Sequence, residues 1–190
     1  MTPFVMTEEA RAWLDSVNLG KGAHEPDGIA CAMEAVARIS NQEWSDAPPN
    51  TSSVIGAFMR NWNDNLPDDA TRNRLLKPLL LDIVDTKSTL AIERRRSYMA
   101  LDWFIREHVP AWLDLTPTLK PSGDALRAAG EIVDAATLKV IRKQLEGARD
   151  KASAAWAAAG AAAGAALRST TERLQASAQN LVRTMCAVTE

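Results

Sequence analysis

Four of the six tryptophans in this chain are followed two residues later by aspartate: Trp13/Asp15, Trp44/Asp46, Trp62/Asp64 and Trp112/Asp114. A fifth, Trp103, directly follows Asp102. An indole is a large apolar body with one N–H donor, and aspartate is a short acceptor suited to helix caps. Positions i and i+2 of a helix point to nearly opposite sides. Each pair can therefore anchor a helix end in the core while its carboxylate caps or hydrogen-bonds at the surface. The pairs read as joints between helices, and they specify an architecture rather than a chemistry.

The remaining pattern is helical, with no sustained alternation of the strand kind. Thr7 caps a first helix that carries Glu8 and Glu9 in its first turn and ends near Asn18–Gly20. A loop over Gly20–Gly28 follows, and a second helix runs from about Ile29 to Ser40. Trp44–Ser53 is a turn region punctuated by Pro48 and Pro49, and a third helix spans about Val54–Asn63. Pro67-Asp68-Asp69 starts the next, in which Pro78 should kink or restart the run of leucines. Leu90–His108 is apolar on nearly every side around Tyr98–Ile105, which predicts a central helix that stops before Pro110.

The expected organisation is thus all-α: a compact helical bundle over residues 1–115, a connector of loop and short helix over 116–133, and a C-terminal alanine-rich hairpin over 134–190. Ser169-Thr-Thr-Glu172 has the form of a capping box and should open the last helix. Gly160 and Gly164 form G-x-x-x-G, but the uncharged run from Ala152 to Leu167 is too short to span a bilayer. Small side chains suit a close helix–helix approach instead, so a homodimer through this tail is a candidate assembly.

With 190 residues and net charge −2, the chain is long enough to bury a core and has no global bias toward nucleic acid. Residues 1–50 hold three basic and eight acidic side chains, against 19 and 16 in the rest, a polarity that can orient a partner. Cys31 and Cys186 lie near opposite ends without metal spacing, which fits free thiols in a reducing cytoplasm. MTPFVMTEEARAW lacks the basic and apolar regions of a signal peptide, so a cytoplasmic location, in a bacterial host, is expected.

Three constellations can carry function. His24, Asp27, Cys31 and Glu34 cluster around the second helix and are the candidate metal ligands, for a metal-assisted enzyme or a structural site. No second histidine or cysteine lies nearby, and the bland reading makes His24 and Asp27 a turn and helix cap, with Cys31 packed inward. Arg94, Arg95 and Arg96, with Arg60, Arg72, Arg74 and Lys77 in neighbouring helices, can grip phosphates only if the helices align them. Asp102, inside an apolar helix, needs a buried partner such as an arginine or an indole N–H. No phosphate-loop motif and no activated nucleophile is present.

The segments His24-Glu-Pro-Asp-Gly, Cys31-Ala-Met-Glu-Ala-Val-Ala, Trp44-Ser-Asp and Trp62-Asn-Asp, with Asp102-Trp103 and Pro110-Ala-Trp-Leu-Asp114, resemble an all-helical family met in bacteriophages and actinobacterial genomes. Many of its members also carry alanine- and tryptophan-rich tails. The resemblance implies a helical fold and brings no assigned activity. Family members often have a cysteine near the position of Asn50, so a metal or disulfide shared between Cys31 and that position is not implied here. The expected function is non-catalytic: a phage-type accessory protein that binds a macromolecular partner, a host or defence protein, without cofactor. Trp44, Asp46, Trp62, Asp64 and Arg94–Arg96 are its expected partner-binding residues.

Overall fold

The computed structural model describes residues 4–26, 28–156 and 164–189, with the side chains of 154–156 and 164–166 left aside. The fold is all-α, as the periodicity predicts, and it divides into two compact units. The first comprises residues 1–96 and 182–190, the second residues 97–181. These limits differ from the expected boundaries at 115 and 133.

In the first unit, α1 (Glu8–Ser16) begins where Thr7 Oγ1 accepts the amide of Ala10 at 3.1 Å. It ends before Asn18–Leu19, which pairs in parallel with Ile29–Ala30 as a two-residue ladder, β1 with β2. The second helix was expected from Ile29; α2 starts later, at Ala32, and runs to Ile39 because β2 claims the backbone before it. α2 is the buried axis of this unit. Met33, Ala35, Val36 and Ala37 are fully enclosed, and α1, α3 (Ser53–Asn65) and α5 (Leu80–Ile83) pack around it. Its alanines let those neighbours approach closely, while Met33, Val36 and Ile39 each contribute about 2 kcal/mol by burial.

Asp68 caps α4 (Asp69–Leu76) through the amide of Thr71 at 2.7 Å, as its acidic start suggested. Pro78 restarts the chain as a single 3-10 turn, Lys77–Leu79, before α5. Arg72, 2% exposed, donates to the carbonyls of Asn63 (2.9 Å) and Leu66 (3.1 Å) and pairs with Asp69. It thereby satisfies the open carbonyls at the end of α3 and is unavailable for phosphate. Lys77 likewise spends its ammonium on the carbonyl of Leu14 at 2.9 Å.

The helix expected over Leu90–His108 is α6 (Leu90–Trp103) continued by a π-helical turn, Phe104–His108. Tyr98–Trp103 are half-buried rather than enclosed, so the central role predicted for this helix belongs to α2. Nor does the chain stop before Pro110: α7 (Val109–Leu113) carries that proline in its first turn. The amide of Val109 reaches back to Phe104, and the wider turn accommodates a residue with no N–H to give.

In the second unit, the expected connector contains α8 (Lys120–Ala128), whose Leu126 is fully buried. Its core joins Ile105, Leu113, Leu119, Leu126 and Ile132 to Ile141 and Ala148 of α9 (Ala135–Trp156). The tail's first helix therefore packs on α8. α10 (Gly164–Ala187) begins ahead of the capping-box pattern, which lies in its interior, where Thr171 donates back to Leu167. Ala165, Ala166 and Leu167 are strong helix formers, so the helix forms before Ser169 can act as a cap. The turn of the expected hairpin, with Gly160, lies outside the described residues. No described helix is long and apolar enough to cross a membrane.

Candidate functional site

The Gly20–Gly28 loop and the start of α2 bring together the residues singled out as metal ligands. Cys31 is the N-cap of α2: its Sγ accepts the amide of Glu34 at 3.4 Å, and Glu34 Oε2 accepts the amide of Cys31 at 2.7 Å. This is a reciprocal capping box with a thiol in the place of a hydroxyl. The cap role assigned to His24 and Asp27 thus belongs to Cys31.

Glu34, 2% exposed, also takes the amide of His24 at 2.8 Å and lies 3.1 Å from His24 Nδ1. The carbonyl of His24 in turn accepts the indole N–H of Trp44 at 2.7 Å. Burial pushes the Cys31 thiol up to about 12, so the cap is a protonated thiol. Asp27 lies outside the described residues. Among those described, no group of three or more His, Cys, Asp or Glu side chains is placed to hold a metal ion. Cys31 and Cys186 are both free thiols, and burial raises Cys186 to about 12 as well.

The other side of this loop is held from α3. Asn63, fully buried, donates to the carbonyl of Gly20 at 2.9 Å and accepts the amide of Ala32 at 3.2 Å. Asp64 accepts the amide of Gly22 at 3.0 Å and an amide hydrogen of Asn63 at 3.0 Å. Burial opposes charge on Asp64, but these two donors outweigh it and hold its carboxyl below the ordinary 3.8. Gly22 sits at φ 85°, open to glycine at no cost. At Gly20 a Cβ would come within 2.5 Å of Ile29 Cγ2 and 2.8 Å of His24 Nε2. Asn63 is the residue that sequence reasoning missed; its signal was the Asn-Asp-Asn run at a helix end.

The Trp–Asp joints are real but work differently from the expectation. Three of the aspartates, Asp64, Asp102 and Asp114, fasten distant segments through their carboxylates instead of capping helices. Asp64 holds Gly22, Asp102 accepts the amide of Ile132 at 2.8 Å with Arg106 at 3.2 Å, and Asp114 pairs with Arg127. Arg60 donates to the carbonyl of Asp46 at 2.7 Å. Trp13, Trp44, Trp62 and Trp103 are half-buried, and Trp62 meets Phe58 edge-on at 6.0 Å. Trp44, Asp46, Trp62 and Asp64 therefore serve as parts of the first unit's scaffold.

Arg94 and Arg95 are exposed, but Arg96 is 2% exposed and cannot join them in gripping a partner or a nucleic acid. Its guanidinium binds Glu93 at 2.9 Å and the carbonyls of Thr86 (2.6 Å), Met185 (2.9 Å) and Val188 (3.3 Å). Glu93 is in turn held by Ser52 Oγ at 2.7 Å. Burial works against its charge, yet the Ser52 and Val54 donors and Arg96 keep its carboxyl below 4.5.

In the second unit, the π turn presents a ledge that the sequence did not announce. Phe104, His108 and Trp112 line up, with ring centres 5.2 Å and 6.0 Å apart, and Trp103 meets His108 edge-on at 5.4 Å. The indole N–H of Trp112 donates to His108 Nε2 at 2.8 Å, which makes His108 the Nδ1–H tautomer. Burial lowers its pKa, so the ring is neutral between its neighbours. Phe104 and Trp112 are 48% and 37% exposed. Comparison with family models, curated proteins and solved structures finds no match to this chain.

Proposed function

We propose that this chain is a non-catalytic accessory protein that recognises a protein partner through the aromatic ledge of its second unit. The supporting observation is the exposure of Phe104 and Trp112 on either side of a neutral His108 whose ring is tilted against both. Partly exposed aromatics with fixed rotamers are the side chains that interfaces use as anchors. A π turn inside a helix often marks a functional position. The groups best suited to chemistry are meanwhile consumed: Glu34 holds the amides of His24 and Cys31, and Cys31 keeps its proton. The motif resemblance drawn from the sequence is our ground for proposing a host or defence protein as the partner class.

The test is quantitative capture from a bacterial host extract with wild type and with the Phe104→Ala/Trp112→Ala double variant. A stoichiometric partner that falls at least about tenfold in the variant is expected, since anchor aromatics are worth about 2 kcal/mol or more each. Equal recovery by both proteins, or no partner at all, refutes the reading. A second copy is the alternative occupant, for which Val140 on α9, 79% exposed, offers apolar area. Native mass spectrometry reads that assembly directly.

A further inference from the structure

Phe104, His108 and Trp112 recur at intervals of four, and of the three only His108 can change its charge near neutral pH. Its Nε2 accepts the indole N–H of Trp112 at 2.8 Å, in a bond that lies at the surface and within reach of solvent protons. An indole nitrogen donates and does not accept, so it cannot reverse its role. Once Nε2 takes up a proton it becomes a donor too, and two N–H groups face each other where one bond had been.

The other ring nitrogen offers no compensation. Nδ1 is buried without a hydrogen-bond partner among the described residues, so the imidazolium would keep its second N–H unmet as well. The neighbouring rings attract a cation, but weakly: Phe104 and Trp112 lie 5.2 Å and 6.0 Å from the imidazole centre and are tilted by 39° and 38°. A charged donor left without an acceptor costs more than such a partly exposed cation–π contact returns. The closed row therefore favours the neutral ring, in the same direction as burial.

The charges on the elements packed around the π turn are engaged elsewhere. Asp102 of α6 holds Arg106 at 3.2 Å, and Glu107 accepts from Ser177 Oγ of α10 at 3.5 Å. Asp114, after α7, pairs with Arg127 of α8, and Lys120 and Arg127 share Asp124. Arg173 of α10 lines a cleft with Arg106 and Glu107, and α9 joins the turn through the apolar cluster of Ile105, Ile141 and Ala148. None of these charges sets the ring's titration; burial does.

We propose that His108 is an acid-sensitive latch on the aromatic ledge: the neutral ring holds Trp112 in a row with Phe104, and protonation releases the indole and breaks the row. The latch rests on the partner-surface reading for its consequence alone, that a partner held at neutral pH is let go on acidification. The sign follows from linkage. A ring held below its ordinary 6.5 keeps the ledge closed above that value, and the ledge opens as pH falls through and below it.

The experiment is a titration of the full chain, without partner, from about pH 8 to about pH 4. NMR follows the His108 ring and the six indole N–H groups, with Trp112→Phe assigning the Trp112 signal. The expected result is one midpoint below 6.5 shared by the His108 ring and the Trp112 indole. Exchange of the Trp112 N–H, corrected for its intrinsic rate, should quicken about tenfold for each pH unit by which that midpoint lies below 6.5. The Trp103 indole, held by Ser177 Oγ at 2.8 Å in the same unit, should stay protected throughout. His108→Gln supplies an oxygen that accepts and does not titrate, so its Trp112 indole should stay protected as well. His108→Leu supplies no acceptor and should leave that indole unprotected at every pH. A Trp112 indole that ignores the titration, or that responds alike in wild type and His108→Gln, overturns the latch. So does loss of protection at Trp103 together with Trp112, which is unfolding. Because the free protein is read, failure to capture a partner refutes the partner reading alone, and a pH-independent Trp112 refutes the latch alone.

Discussion

Replacing Glu34 should test whether one buried carboxylate holds the first unit's loop and helix end together. Glu34→Ala leaves the amides of His24 and Cys31 without acceptors in a 2% exposed site. Each stranded donor costs about 1–3 kcal/mol, and the lost half of the capping box adds to it, so the total is about 4 kcal/mol. Glu34→Gln keeps the volume and one carbonyl oxygen and strands a single amide, for about 2 kcal/mol. With a urea slope of about 2 kcal/mol/M, these correspond to midpoints lowered by about 2 M and 1 M.

The assay is urea unfolding followed by tryptophan fluorescence, because Trp44 donates to the carbonyl of His24 and reports on this loop. Amide exchange at His24 and Cys31 gives a second, local reading. If Glu34→Ala unfolds within about 1 kcal/mol of wild type, the two bonds do not hold the loop and the reasoning fails. A metal bound by His24, Cys31 and Glu34 would also destabilise on loss of Glu34. That reading requires a chelator to reproduce the effect in wild type, whereas the hydrogen-bonded cap is indifferent to chelator.

Cys31, with its thiol raised from 9.0 to about 12, should react with a thiol reagent at pH 8 about a thousandfold more slowly than an ordinary cysteine until the protein unfolds. Asp64 and Glu93 are held below 3.8 and 4.5 in the folded state, so each contributes stability that is complete above those values. That stability is lost as pH falls through the lowered folded values. Asp64→Asn should accordingly flatten the acid limb of a stability–pH curve below about pH 4 without changing its slope at pH 7. Arg96→Met should cost about 3–5 kcal/mol in denaturant unfolding by leaving Glu93 buried without its cation, and Arg96→Lys should recover little, because one ammonium cannot reach the same four partners. Gly20→Ala should lower the unfolding free energy by about 1–3 kcal/mol through the contacts with Ile29 and His24, while Gly147→Ala, open to solvent in α9, should raise it slightly.

The fold class and most helix starts were legible because they rest on local signals. Thr7, Asp68 and Pro78 act at their own positions, and each did what its residue type dictates. What was not legible depends on residues far apart in the chain. Whether α2 or α6 is enclosed is decided by which helices surround it, and both have apolar residues on several faces. Arg96 looked like its exposed neighbours Arg94 and Arg95; only the carbonyls of Met185 and Val188, some ninety residues on, distinguish it. Cys31 and Glu34 were found as a cluster, but their three-residue spacing served a helix cap where a metal had been considered. The aromatic ledge escaped because Phe104, His108 and Trp112 are spaced by fours, as in an ordinary helix core, and the π turn that exposes them has no composition of its own.

Arg96 has a further consequence in the order of synthesis. The first unit is discontinuous: residues 1–96 are joined by residues 182–190, and the guanidinium's grip on Met185 and Val188 is part of its interior. On a ribosome that adds about 5–20 residues per second, those two carbonyls follow Arg96 by roughly 5–18 s. During that interval a buried arginine and the Glu93 beside it wait for acceptors that have not been made. The amino-terminal half of this protein is therefore completed by residues made some ninety positions later, and a nascent chain released before Val188 lacks a piece of the structure it began with.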